Sequence, residues 1–151
     1  MRRTVIAVGR CRDAHLVALW RDYAGRCKPP LGLVEVEDKR GESPDRKSRE
    51  AQLLLEKVPH GSRLVALDAR GKTLDSMAFA KTLTAWGDQG VPEIAFLIGG
   101  ADGLDPKIPE QAGLVLSLGA LTWPHMLVRV MLAEQLFRAE SIASGHPYHR
   151  A

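Results

Sequence analysis

The final residues of the sequence bring together side chains that can move protons and hold anions. Segment 145–150 reads Gly-His-Pro-Tyr-His-Arg, with imidazoles at His146 and His149, a phenol at Tyr148 and a guanidinium at Arg150. An imidazole can accept a proton near neutral pH, and a guanidinium can bind phosphate or an anionic oxygen. A frayed tail without function is the alternative. Four such side chains within six positions favour a functional tail.

Three glycines stand within five positions at 99–103, where the sequence reads Gly-Gly-Ala-Asp-Gly. They follow the apolar run 93–98, and glycine lets a ligand approach the backbone amides closely. A tight turn that needs positive φ is the alternative interpretation. The spacing matches neither G-x-G-x-x-G nor G-x-x-x-x-G-K-[ST], which disfavours dinucleotide-binding and P-loop domains.

Segment 118–123, Leu-Gly-Ala-Leu-Thr-Trp, is an apolar loop that precedes Pro124 and His125. Loops usually lie at the surface and are polar. The apolar side chains of this loop must therefore cover either neighbouring protein or the apolar body of a ligand. Its backbone donors and acceptors have the chemistry to bind the edge of an adenine.

A cluster of five basic side chains, accompanied by two acidic ones, lies between positions 39 and 49. A charged face exposed to solvent is the simpler interpretation. The same side chains would also bind nucleic-acid phosphates, and each such contact makes affinity more sensitive to salt. The candidate RNA-binding residues are Lys39, Arg40, Arg46, Lys47 and Arg49.

The length and composition are those of one globular domain over residues 1–151. The net charge of +3 arises mainly in residues 1–50, which hold 12 Lys/Arg against 8 Asp/Glu. Cys11 and Cys27 form no C-x-x-C pair and no cluster with histidine, so we expect neither a disulfide framework nor a metal site. This cysteine usage indicates a reducing, cytoplasmic environment. No apolar run is long enough to cross a membrane, and we expect no signal peptide.

Strand and helix patterns alternate along the whole sequence. Apolar runs predict strands at 4–8, 33–36, 63–67, 93–98 and 114–117. Helical spacing and cap signals predict helices over 13–26, 44–58 after an N-cap at Ser43, 76–88 and 125–143, with turns after Pro106 and at 69–72. This alternation predicts an α/β fold, a mostly parallel sheet with helices on both faces. Ligands bind such sheets beyond the carboxyl ends of the strands, where the glycine cluster and the apolar loop begin.

The last predicted helix, 125–143, is apolar on more than one face. Such a helix is buried on several sides, so one side is expected to face the sheet and another a second copy of the chain. This predicts a homodimer with two-fold symmetry. A helix at the centre of a single chain is the alternative. Arg129 and Arg138 are expected to pair with Glu134 or Glu140 on the same helix.

Four motifs occur in order: Leu67-Asp68 with Gly71-Lys72, Leu97 to Leu104, Leu118 to His125, and His146 to Arg150. Together with Val5 to Gly9 they extend over essentially the whole chain. They resemble the large-subunit rRNA pseudouridine N3-methyltransferase family of the SPOUT superfamily. The resemblance implies a homodimer of small α/β subunits, each with a C-terminal trefoil knot. It also implies S-adenosylmethionine as cofactor and a 23S rRNA hairpin of the ribosome as substrate.

The resemblance also implies roles for individual residues, by their positions in these motifs. The cofactor-binding residues would be Leu67, Gly99, Gly100, Leu118, Gly119, Ala120, Leu121, Thr122 and Trp123. The catalytic residues on the substrate side would be His149, Tyr148 and Arg150. Two positions depart from the family pattern, because Gly119 stands where serine is common and Trp123 where leucine or phenylalanine is common. Both departures bear on cofactor affinity and not on the class of reaction.

Methylation of the imide N3 requires a group that removes its proton, because this nitrogen is protonated near neutral pH. We assign the base role to His149, with Arg150 holding phosphate or anionic oxygen and Tyr148 orienting the target base. His125 is the alternative base, since its position at a helix start is expected to lower its pKa. Because the tail follows the predicted dimer helix, we expect it to reach the cofactor pocket of the partner subunit.

Two functions of other classes compete with methyl transfer. A non-catalytic ribosome-binding or assembly factor on the same fold would have degenerate cofactor loops, but segments 99–100 and 118–123 are both present. An enzyme that binds a nucleotide for unrelated chemistry is disfavoured because the lysine pattern of a phosphate loop is missing.

Overall fold

A five-stranded sheet, parallel throughout, lies at the centre of the computed structural model, which describes residues 1–150. The strands are β1 (Arg2–Val8), β2 (Gly32–Val36), β3 (Arg63–Thr73), β4 (Glu93–Ile98) and β5 (Leu114–Ser117). The helices are α1 (Ala14–Arg26), α2 (Arg46–Glu56), α3 (Ser76–Asp88), α4 (Lys107–Gln111) and α5 (His125–Ser144). The strand order is β2-β1-β4-β3-β5, so the predicted α/β fold with a parallel sheet is confirmed.

Helices cover both faces of the sheet and bury two apolar clusters. On one face, α1, α3 and α5 pack around residues such as Phe79 and Leu136. On the other face, α2 and α4 pack around Leu54. Residues 94–97 of β4 are completely buried. This is the burial expected for a central strand of a parallel sheet that is covered on both faces.

The end of β3 differs from the sequence prediction. The turn predicted at 69–72 is wrong, because β3 continues through this segment. Leu67 and Lys72 both lie opposite Leu116 of β5, so the residues between them form a bulge in the strand. The sequence pattern could not show this, because the pairing partner is a strand more than forty positions further along the chain.

We expect Gly71→Ala to destabilise the fold by about 1–3 kcal/mol. The added Cβ would lie 2.4 Å from the carbonyl oxygen of Val115 in β5, so the two strands would have to separate. Gly87→Ala in α3 is the matched control, because a Cβ there meets nothing within 4 Å. Denaturant unfolding would measure both free energies. Equal stability of the two variants would contradict the close approach of β3 and β5.

Helix ends lie close to the predicted bounds, with one correction at α2. Helix α5 ends at Gly145, a left-handed C-cap whose φ is +74°. Helix α2 begins at Arg46, so the predicted N-cap at Ser43 is wrong. The hydroxyl of Ser43 instead accepts a hydrogen bond from Arg49. Pro124 directly precedes α5, which begins at His125 as predicted.

Membrane-spanning helices and metal-binding clusters are both absent from the described residues. Within residues 1–150, no helix is both long enough and apolar enough to cross a membrane. The same residues contain no group of three or more His, Cys, Asp or Glu side chains that could hold a metal ion. Cys11 and Cys27 are both free thiols.

Candidate functional site

The carboxyl ends of β4, β3 and β5 lie side by side, because these strands are neighbours in the sheet. The segments that follow them enclose a cavity of about 170 Å³. Eight of the residues predicted to bind the cofactor line this cavity: Leu67, Gly99, Gly100, Leu118, Gly119, Leu121, Thr122 and Trp123. Ala120 is exposed and does not line it. The structure thus brings together three segments that the sequence keeps far apart.

The glycine cluster after β4 forms a tight turn that also lines the cavity. The amide of Gly103 donates to the carbonyl of Gly100, and Gly103 has a φ of +81°. A Cβ on Gly99 would lie 2.7 Å from the carbonyl carbon of Gly103, so any side chain there would collide with backbone. The turn therefore requires glycine for its own geometry. The cluster is therefore both a tight turn and a segment whose backbone, without side chains, lines the cavity.

The loop after β5 is held in shape while its apolar side chains remain uncovered. The hydroxyl of Ser117 hydrogen-bonds both the amide and the carbonyl of Gly119, and the indole of Trp123 donates to the carbonyl of Leu118. Leu121 is nevertheless 70% exposed and Trp123 38% exposed. Since neighbouring protein leaves these side chains open, they are available to the apolar body of a ligand.

His125, at the start of α5, also lines the cavity. Its pKa is lowered by burial and by the nearby cation of Arg129, so the ring is neutral near pH 7 and able to accept a proton. The pairing of Arg129 with a glutamate of its own helix, predicted from the sequence, is wrong. Arg129 is 2% exposed and instead donates to Glu35 and to the backbone carbonyls of Val8 and Gly9.

The tail folds back along α5. The ring of Tyr148 lies 4.7 Å from that of Phe137, and its hydroxyl donates to Glu134. Arg138 pairs with Glu134 as predicted, and its Nη1 lies 3.2 Å from Nδ1 of His149. A guanidinium can only donate, so Nδ1 accepts and the neutral ring carries its proton on Nε2.

The tail does not line the cavity of its own chain. Its contacts begin at Glu134, six residues beyond Val128, the last residue of α5 that lines the cavity. At a rise of 1.5 Å per residue, these two positions are about 9 Å apart along the helix. Glu134 does share the walls of a larger neighbouring cavity with Leu118 and Gly119 of the loop after β5.

Residues 1–149 match a family model described as "Predicted SPOUT methyltransferase". The chain belongs to the SPOUT methyltransferase family. This confirms the family membership indicated by the four sequence motifs.

Relatives of this SPOUT methyltransferase match over their full length. The chain is 53% identical over 152 residues to a protein of Rhodospirillum centenum, covering 100% of each. It is 51% identical over 151 residues to a protein of Paramagnetospirillum magneticum, covering 99% of each. Both are named "Ribosomal RNA large subunit methyltransferase H".

Solved structures share the fold at low sequence identity. A probable methyltransferase from Bordetella pertussis matches with a TM-score of 0.63 and 15% identity, covering 91% of this chain and 95% of that one. A probable methylase family protein from Haemophilus influenzae matches with a TM-score of 0.60 and 10% identity, covering 99% and 70%. At these identities the likeness supports the shared SPOUT fold alone.

The contacts of the tail in this SPOUT methyltransferase predict an unusual titration of Tyr148. Burial and then the hydrogen bond to Glu134 raise the pKa of its phenol from 10.0 to about 12. The folded state thus favours the protonated phenol, and this contribution to stability is lost as the pH rises through that range. The difference between the ultraviolet pH titrations of wild type and Tyr148→Phe should have its midpoint near pH 12. A midpoint near pH 10 would show that the tail is detached in solution.

The basic segment 39–49 is largely neutralised within the chain. Arg49 forms ion pairs with Asp38 and Asp45 and is 11% exposed. Arg46 lies between two glutamates, and Arg40, although 71% exposed, lies 3.4 Å from Asp38. An RNA-binding role for this segment stays a prediction. Three of its five basic side chains are already paired with carboxylates. The cations of the segment that make no ion pair within residues 1–150 are Lys39 and Lys47.

Proposed function

We propose that the protein transfers the methyl group of S-adenosylmethionine to N3 of a pseudouridine in 23S rRNA of the large ribosomal subunit. Membership of the SPOUT methyltransferase family and full-length relatives named as rRNA large subunit methyltransferases support this function. The observation that carries it is the cavity at the ends of β3, β4 and β5, lined by the residues that the family motifs mark for the cofactor. An rRNA substrate also favours a cytoplasmic location.

The polar and apolar groups that line the cavity match those of the adenosine part of S-adenosylmethionine. Glycine backbone at 99–100 offers polar groups without side chains, and Leu121 and Trp123 offer uncovered apolar surface. When bound, S-adenosylmethionine supplies an electrophilic methyl group. The cavity of about 170 Å³ is smaller than the roughly 300–1,000 Å³ of most ligand pockets, so part of the cofactor would extend beyond the rim. A second subunit can complete the site there.

The residues of the chain would act mainly by positioning and by accepting one proton. Methyl transfer requires the acceptor nitrogen in line with the S–CH₃ bond at about 3–3.5 Å, and orientation alone can lower the barrier by several kcal/mol. His149 would take the N3 proton after exchanging its contact with Arg138 for the substrate. Arg150 would hold phosphate or anionic oxygen, and Tyr148 would orient the base. His125 remains the alternative base because it is neutral and lines the cavity.

We further propose that the protein acts as a homodimer in which each tail completes the site of the other subunit. A second cavity, of about 730 Å³, has apolar walls from α1, α3 and α5 that include Leu19, Phe79 and Val130. Leu19 is 44% exposed there. An open apolar surface of this kind favours contact with a second copy. No residue of the tail lines the cavity of its own chain, which supports a composite site.

The trefoil knot implied by the family resemblance also stays a proposal. Strand β5 lies at one edge of the sheet, whereas α5 begins next to Gly9 at the end of β1. Segment 118–124 must therefore run back across the ends of β3 and β4, which is compatible with threading. Pulling the chain from both ends tests this proposal. A knotted chain would extend to less than the roughly 3.3–3.6 Å per residue of a free chain.

The proposed function is tested by incubating the protein with methyl-labelled S-adenosylmethionine and large subunits from a strain that lacks this enzyme. We expect label in 23S rRNA, found by mass spectrometry as N3-methylpseudouridine. Thermal shifts should be given by S-adenosylmethionine and not by ATP or NAD. Binding without transfer would favour the non-catalytic assembly factor. Equal shifts with all three ligands would contradict the cofactor site.

A further inference from the structure

The loop between β1 and α1, residues 9–13, contains two arginines whose side chains have no partner within residues 1–150. Arg10 and Arg12 are exposed, and neither side chain makes a hydrogen bond or an ion pair within residues 1–150. We call this segment, Gly9-Arg10-Cys11-Arg12-Asp13, the arginine loop. It differs from segment 39–49, where three of the five cations lie beside carboxylates.

The arginine loop lies next to the cofactor cavity. Strand β1 pairs with β4, with Ala7 opposite Ile98, so the loop after β1 is adjacent to the glycine turn after β4. The loop also touches the start of α5. A Cβ on Gly9 would lie 3.0 Å from Met126 and 3.8 Å from Nε2 of His125, a residue that lines the cavity.

The backbone of the arginine loop is held firmly in place. The amide of Gly9 donates to a β2 carbonyl, and the amide of Cys11 donates to the carboxylate of Glu35. Arg129, which is buried, donates to the carbonyl of Gly9 at 2.7 Å. A loop fixed in this way loses little conformational freedom when its side chains bind a partner.

The carboxylates near the arginine loop are already engaged. Asp13 accepts hydrogen bonds from the first amides of α1 and serves as its N-cap. Glu35 pairs with Arg129 and accepts from the amide of Cys11. Arg10 lies near enough to Glu35 to help lower the pKa of that carboxyl group, but neither Arg10 nor Arg12 forms an ion pair within residues 1–150. Both guanidinium groups are exposed and can bind a further anion.

We propose that the arginine loop binds phosphates of the RNA strand that flanks the nucleotide entering the cavity. This inference rests on the proposed function and adds an RNA-contacting element to it. A guanidinium binds phosphate through charge and paired hydrogen bonds. An RNA strand that delivers one base to the cavity must carry its neighbouring phosphates past the adjacent loops, and the arginine loop is one of these.

The test measures binding of large ribosomal subunits from a strain lacking the enzyme, across a series of KCl concentrations. The Arg10→Gln/Arg12→Gln variant should bind about 10-fold more weakly at low salt. The slope of log affinity against log salt should fall by about 1 to 2. Arg2→Gln is the matched control, because Arg2 is also exposed and unpaired but lies at the opposite end of β1. The control should bind like wild type.

Two further readouts separate RNA contact from a structural effect. Melting temperature and affinity for S-adenosylmethionine should be unchanged in the double variant, and Arg10→Lys/Arg12→Lys should recover most of the binding because it keeps the charge. An unchanged salt slope, or a loss that the lysine variant does not recover, would overturn the proposal. If wild type transfers a methyl group while the salt slope is unchanged, only this inference fails. If wild type transfers none, the proposed function fails.

Discussion

His149→Ala is expected to lower the rate of methyl transfer by about 10²- to 10⁴-fold, the usual contribution of a general base. Binding of S-adenosylmethionine should be nearly unchanged, because His149 contacts Arg138 and does not line the cavity of its own chain. Single-turnover transfer to large subunits measures the rate. Calorimetry measures the affinity for the cofactor.

Two histidine variants provide controls for this result. His60→Ala removes an exposed imidazole far from the tail in sequence and should have no effect. His125→Ala should weaken cofactor binding, because His125 lines the cavity. If His125→Ala abolished transfer at saturating cofactor while His149→Ala retained it, the base would be His125. Loss of cofactor binding in His149→Ala would place that residue in the cofactor pocket.

Mixing two inactive variants is expected to restore activity if each site is shared between subunits. One variant ends after Gly145 and lacks the tail. The other, Leu121→Arg, should block the cavity without harming the fold, because Leu121 is 70% exposed. With random pairing, half of the dimers are mixed and each has one intact site, so activity should approach about one quarter of wild type.

The mixed sample discriminates sharply between the two arrangements. If the tail served the cavity of its own chain, every site in the mixture would lack either a tail or a cavity. Activity would then stay at the level of the separate variants. Native mass spectrometry of the mixture controls for subunit exchange, because a dimer with one shortened subunit has an intermediate mass. Recovery near zero despite proven exchange would contradict the composite site.

The bounds of helices and strands could be predicted where local sequence patterns mark both ends of the element. Helix α3 and strands β4 and β5 have the predicted bounds, because apolar periodicity and flanking turn residues mark both ends. The extension of β3 beyond Leu67 could not be predicted. Its second pairing with Leu116 depends on a bulge and on a distant strand, while the local residues resemble a turn.

The site could be predicted in part, because ligands bind at the carboxyl ends of parallel strands. The motifs located the segments, but only the strand order shows that β4, β3 and β5 are neighbours. The partner of Arg129 could not be predicted, since Glu35 lies 94 positions away. The docking of Tyr148 on Phe137 also depends on how the chain folds back after Gly145.

The most direct test of this account is a crystal structure of the protein with S-adenosylmethionine bound. We expect the cofactor in the cavity at the ends of β3, β4 and β5, against Gly99, Leu118 and Trp123. We also expect its methyl group to face the tail of a second subunit. A cofactor bound in the larger cavity between α1 and α5, or a methyl group facing the tail of its own chain, would contradict this account.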